Sequence, residues 1–119
     1  MANDDRIIVY EKPTCTTCRK LAKLLREAGI EYEAVNYLLE PIPREELARL
    51  IDMMGISARE LLRTREPIYR ELGLGRADLT DDQLLDAMAE HPELVQRPIV
   101  VKGDRAVLAR PPERVKEIL

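Results

Sequence analysis

Two cysteines three positions apart, Cys15 and Cys18, sit between a short apolar run and a long amphipathic one, and this juxtaposition constrains the chain more than any other feature. Ile7-Ile8-Val9 is β-branched and predicts a buried strand over Arg6 to Tyr10, which Pro13 ends. After Glu11-Lys12-Pro13-Thr14, the residues Cys18, Leu21, Ala22, Leu24, Leu25 and Ala28 recur at helical spacing, and Gly29 is placed as the C-terminal cap. The result is a strand-loop-helix unit with Cys15 at the helix entrance. There a thiol meets unpaired backbone N–H groups and the positive end of the helix dipole, both of which favour thiolate. Cys18, one turn further in, is close enough to attack a mixed disulfide on Cys15 yet partly covered by the helix, so Cys15 reads as nucleophile and Cys18 as resolving thiol.

The remaining pattern extends this unit. Glu31 to Asn36 alternates imperfectly and suggests a second strand, followed by Pro41-Ile42-Pro43. Leu47, Leu50, Ile51 and Met54 mark one face of a helix from Arg44 to Met54, closed by Gly55. Ser57-Ala58-Arg59-Glu60 and Thr80-Asp81-Asp82-Gln83 each have the form of a capping box; the second opens a helix that should end before Pro92. Pro98-Ile99-Val100-Val101 and Arg105 to Ala109, joined by Lys102-Gly103-Asp104, predict an antiparallel hairpin, and a last helix is expected from about Pro112 to Leu119. The order is β-α-β, then helices, then β-β-α. This is an α/β plan of thioredoxin-like (glutaredoxin-like) type, a mixed sheet with a helical insertion between its halves, expected as one domain over residues 1–119.

Charge and cysteine usage exclude several function classes. The formal net charge is −3, so no electrostatic attraction favours direct nucleic-acid or anionic-membrane binding, and there is no Trp or Phe to stack on bases. Met1 to Arg6 has acidic residues where a secretion signal needs positive charge, and no apolar run is long enough to span a bilayer, so a cytoplasmic location is expected. In that reducing compartment a cysteine pair is catalytic, redox-sensing or metal-binding rather than a structural staple. A zinc site would need further ligands, and His91 is the sole histidine, so no metal is expected.

Arg63, Arg97 and Arg110 each fall at an element boundary from which a side chain can reach the Cys15 loop. Guanidinium forks around a thiolate would bind a tetrahedral oxyanion and depress the thiol pKa further. By spacing alone these arginines also fit solvated positions that compensate helix ends. A cis peptide at Arg97-Pro98 would account for a proline at the entrance of a central strand, where proline is otherwise excluded.

Several separated motifs resemble the glutaredoxin-dependent arsenate reductases and their relatives, which include Spx-type regulators. They are Lys12-Pro13-Thr14-Cys15-Thr16-Thr17-Cys18-Arg19, Gly55-Ile56-Ser57 with Leu61-Leu62-Arg63, Tyr69-Arg70-Glu71-Leu72-Gly73-Leu74, Leu79 to Leu84, His91-Pro92-Glu93-Leu94 and Arg97-Pro98-Ile99-Val100-Val101. The resemblance implies that Cys15 attacks arsenate or a similar oxyanion and that Arg63, Arg97 and Arg110 bind it. It also implies glutathione as co-substrate, with no bound cofactor, and glutaredoxin as protein partner, in a protein expected to be monomeric. Two departures matter: Cys18 stands where the reductases usually lack a thiol, and Glu11 where they have a His. The second thiol makes thioredoxin an alternative reductant, and a carboxylate at Glu11 is expected to raise the Cys15 pKa. Two other readings remain open here: an Spx-like redox sensor binding the RNA polymerase α-subunit, and a general thiol-disulfide reductase.

Overall fold

The computed structural model describes Arg6 to Leu119; the acidic start of the chain read above lies outside the described residues. The chain divides into two compact units, one made of the segment up to Glu40 together with Arg97–Leu119, the other of Pro41–Gln96.

The first unit is built on a four-stranded sheet of order β2-β1-β3-β4. Strand β1 (Ile7–Glu11) is followed by helix α1 (Thr16–Glu27), which returns the chain so that β2 (Glu33–Asn36) pairs parallel with β1, Ile8 opposite Glu33 and Glu11 opposite Asn36. On the other side β1 pairs antiparallel with β3 (Ile99–Lys102), Val9 opposite Val100, and β3 pairs with β4 (Arg105–Leu108) through the expected hairpin. Strand β1 is therefore interior, which suits its apolar run. Ile7 and Val9 project to one face and pack with Leu21 and Leu25 of α1 and with Val100, Val107, Val115 and Ile118. Gly29, at φ 71°, ends the helix in the left-handed conformation that glycine adopts without strain. Pro112–Glu117 forms a 3₁₀ helix rather than the α-helix expected to Leu119. It packs on α1 and β4, burying Pro112 and Val115, and tertiary contact of so short a segment outweighs the α pattern.

The second unit contains α2 (Arg44–Met54), α3 (Ala58–Leu61), α4 (Pro67–Glu71), α5 (Asp81–Glu90) and a 3₁₀ turn at Pro92–Leu94. Both capping boxes form as read: Ser57 Oγ accepts from Glu60 N–H while Glu60 accepts from Ser57 N–H, and Thr80 and Gln83 do the same. Leu47, Leu50 and Ile51 of α2 and Leu84, Leu85 and Met88 of α5 are buried. Arg44 ties the two helices by pairing with Asp82 and Asp86. Helix α4 is absent from the sequence reading because its five residues bury none of their side chains and leave no apolar stripe to read. Among the described residues no helix is long and apolar enough to cross a membrane.

The mixed α/β architecture with its helical insertion agrees with the sequence reading. Since Leu21 is fully buried beneath β1, Leu21→Ala is expected to cost about 2–5 kcal/mol of stability, read as a lower urea midpoint at unchanged slope.

Candidate active site

Cys15 is the N-cap of α1, with extended backbone angles of φ −75° and ψ 128°. A turn delivers it there: the Cys15 N–H donates to the Lys12 carbonyl at 2.9 Å, with Pro13 at the second turn position, where its fixed φ is suited. The side chain forms no close capping bond. Nonetheless the N–H groups of Thr17 and Cys18, the second and third helical residues, stabilise its thiolate. These are the donors that an N-cap oxygen ordinarily engages.

The two thiols are driven apart in acidity. Partial burial pushes the Cys15 thiol up, but hydrogen bonds from the Cys18 N–H, the Cys18 thiol, the Arg97 guanidinium and the Thr17 N–H outweigh it together. They bring Cys15 from an ordinary 9.0 down to about 7. Cys18 is 1% exposed. Burial, reinforced by the charges of Cys15 and Glu11, pushes it up to about 12, against the stabilising backbone of Lys12. At neutral pH Cys18 therefore keeps its proton and donates to Cys15, which ionises near 7. The expectation that Glu11 would raise Cys15 is not met: Cys15 is lowered, and the Glu11 charge bears on Cys18 and on Tyr32 instead.

Arg97 is 5% exposed and precedes Pro98 through a cis peptide, as anticipated. Burial opposes its charge, but Tyr37 and Cys15 more than offset this and keep it protonated. Its Nη1 donates to the Tyr37 hydroxyl at 3.5 Å, while its Nε is buried with no hydrogen-bond partner among the described residues. Arg110 lies beside it: Arg110 Nη1 donates to the Arg97 carbonyl at 2.9 Å, and the Arg110–Pro111 peptide is also cis. Cys15, Cys18 and Arg97 thus form one contact cluster in the sheet unit, and Arg110 touches that cluster through the Arg97 backbone rather than through the sulfur. Arg63 belongs to the helical unit. Its N–H donates to the Leu94 carbonyl at 2.7 Å, and its Nε pairs with Glu66 at 3.3 Å.

Tyr37 is fully buried, and its hydroxyl meets a guanidinium that lies 60 residues away in sequence. No local spacing signals such a pair. The outer face of α1 carries Arg19, Lys20, Lys23 and Arg26, which with Thr16 line a shallow groove of about 450 Å³ beginning next to Cys15. The helical count that found the apolar stripe contains this basic face as its complement.

Residues 10–118 match the profile of the ArsC family, nearly the whole described chain. The chain belongs to the ArsC family. Among ArsC-like relatives, an arsenate reductase of Escherichia coli is 47% identical over 113 residues, covering 95% of this chain and 80% of that protein. The protein YfgD of E. coli strain K12 is 41% identical over 115 residues, covering 96% of this chain and 97% of its own length. The structure of an arsenate reductase from Vibrio cholerae is similar with a TM-score of 0.93 at 42% identity, covering 98% of this chain and all of that one. The ArsC assignment and the thioredoxin-like reading of the sheet agree.

Alkylation of Cys15 by iodoacetamide should rise with pH through an inflection near 7, because thiolate predominates above that value. In Arg97→Ala the inflection should move up toward 9.0, the ordinary value. An inflection unmoved by that substitution would remove Arg97 from the account.

Proposed function

We propose that this chain is a thiol-dependent arsenate reductase. The observation that carries the reading is the Cys15 sulfur, ionised near neutrality and in hydrogen-bond contact with the buried Arg97 guanidinium. It occurs in a chain 47% identical to an arsenate reductase. Cys15 thiolate attacks arsenic and displaces a hydroxide, which leaves as water after protonation. Charge building on the arsenate oxygens needs donors fixed in advance. Arg97 supports that role, since its orphaned Nε is a buried donor awaiting an acceptor. Such a group costs about 1–3 kcal/mol when unpaired, which an incoming oxyanion would relieve. Arg110, which holds the Arg97 carbonyl, joins Arg97 in the proposed oxyanion site, and the family resemblance assigns the same role to Arg63.

Reduction follows when a thiol attacks the Cys15 sulfur. The Cys15–arsenic bonding pair stays on arsenic, As(V) becomes As(III), arsenite departs, and the two sulfurs are joined as a disulfide. Either glutathione or Cys18 supplies the second thiol. Glutathione with glutaredoxin then regenerates the thiolate in the first case, and thioredoxin in the second, both in the cytoplasm. The basic outer face of α1 beside Cys15 favours reductants bearing negative charge, as glutathione does with its carboxylates.

Arsenate-dependent NADPH consumption, with the glutathione–glutaredoxin and thioredoxin systems supplied in parallel, tests the reading. Turnover should be lost in Cys15→Ser, and arsenate should slow alkylation of Cys15 in the wild type. Turnover that survives Cys15→Ser would overturn the reading, and support by one reductant system alone names the donor.

A further inference from the structure

Cys18 poses a chemical problem for any resolving role: a thiol pushed up to about 12 is protonated at neutral pH and is not a nucleophile until something removes its proton. The fold places a carboxyl group beneath it. Ile7 and Val9 of β1 project toward α1 and pack with Leu21 and Leu25. Side chains on a strand alternate, so Glu11 projects to that same face, one step beyond Val9 toward the helix N-terminus. The buried stripe of α1 is Cys18, Leu21 and Leu25. Because the helix runs back along the strand, Cys18 is the member of the stripe nearest Glu11. The Lys12 N–H, on the peptide that joins it to Glu11, hydrogen-bonds the Cys18 sulfur. The Glu11 side chain is half-buried, and no hydrogen bond or ion pair engages its carboxyl among the described residues.

We propose that Glu11 is the proton acceptor of the resolving step, taking the Cys18 proton as Cys18 attacks the Cys15 sulfur. This rests on the reading of Cys18 as a resolving thiol given above. In a Cys15–glutathione mixed disulfide, the S–S bond to glutathione breaks and the Cys15–Cys18 bond forms. Glutathione leaves as thiolate with the bonding pair, and the proton passes to Glu11. The same transfer serves when the group leaving Cys15 is arsenic, with the electron pair retained by arsenic. The groups facing Glu11 are Cys18 from α1, Tyr32 ahead of β2, whose hydroxyl the Glu11 charge also raises, and the uncharged Asn36 opposite it on β2. The β3 residues nearest this end, Ile99 and Val100, are apolar. Burial raises the Glu11 carboxyl, which makes it a stronger base than a solvated glutamate.

The test loads Cys15 with glutathione from oxidised glutathione, then follows glutathione release and Cys15–Cys18 disulfide formation by acid quench and mass spectrometry. Glu11→Gln should slow closure about a hundredfold and abolish the fall in closure rate on the acid side of the wild-type profile. Glu11→Asp, which keeps a carboxylate on a shorter stem, should recover part of the rate. Alkylation of Cys15 by iodoacetamide, read in the same variants, should not slow. Closure in Glu11→Gln at the wild-type rate, closure and alkylation slowed together, or a wild-type mixed disulfide that never closes would each overturn the proposal. Arsenate turnover by the wild type with dithiothreitol as sole reductant is scored separately, so a failure of the arsenate reading is distinguishable from a failure here.

Discussion

Two sulfurs of the same chemistry, one helical turn apart, carry opposite protonation because their surroundings differ in what they offer a negative charge. Cys15 stands outside the first turn, where helix N–H groups and a guanidinium stabilise the anion. Cys18 stands inside it, where burial and neighbouring carboxylate and thiolate charges oppose ionisation. The Lys12–Cys15 turn, the position of β1 in the sheet and the entry of β3 through Arg97-Pro98 all serve this contrast. Each brings either a donor to the first sulfur or a low-dielectric wall to the second. The same contrast defines an order of events, since the ionised sulfur must react first and the protonated one can act only after a proton is removed.

The division into a sheet unit and a helical unit separates tasks. The sheet unit holds the nucleophile and the buried guanidinium through short local contacts and three strand ladders. The helical unit rests on its own capping boxes, the Arg44 pairs and a leucine-rich interface, and it presents Arg63 from a segment fixed by backbone bonds on both sides, Arg63 to Leu94 and Gln96 to Leu61. Stability in each unit thus comes from apolar burial of ordinary kind. The polar contacts that are unusual, an arginine 5% exposed and a thiol held at about 7, are concentrated around one sulfur.

Much of this was legible in the residues because local signals are strong where they are short in range. The β-branched run, the 18-21-25 stripe, the capping residues Ser57 and Thr80 and the Gly103 hairpin each report on neighbours within a few positions, and each formed as read. Element ends were less legible. Strand β2 begins at Glu33 rather than Glu31, and the C-terminal segment winds as 3₁₀, since packing on α1 and β4 decides its geometry. The arginine positions were legible as candidates, but their partners were not. That Tyr37 meets Arg97, that Arg110 grips a backbone carbonyl, and that Glu11 acts on Cys18 rather than Cys15 all depend on strand register and face, which no single window of sequence contains.

The hydrogen bond from Arg110 to the Arg97 carbonyl makes the two arginines one mechanical element rather than two independent charges. Truncating Arg110 would free the peptide that aims Arg97, so part of any measured loss would belong to Arg97. Free energies assigned to each residue singly would then sum to more than the pair contributes, and only the coupling energy from a double-mutant cycle would describe how this corner of the protein handles charge.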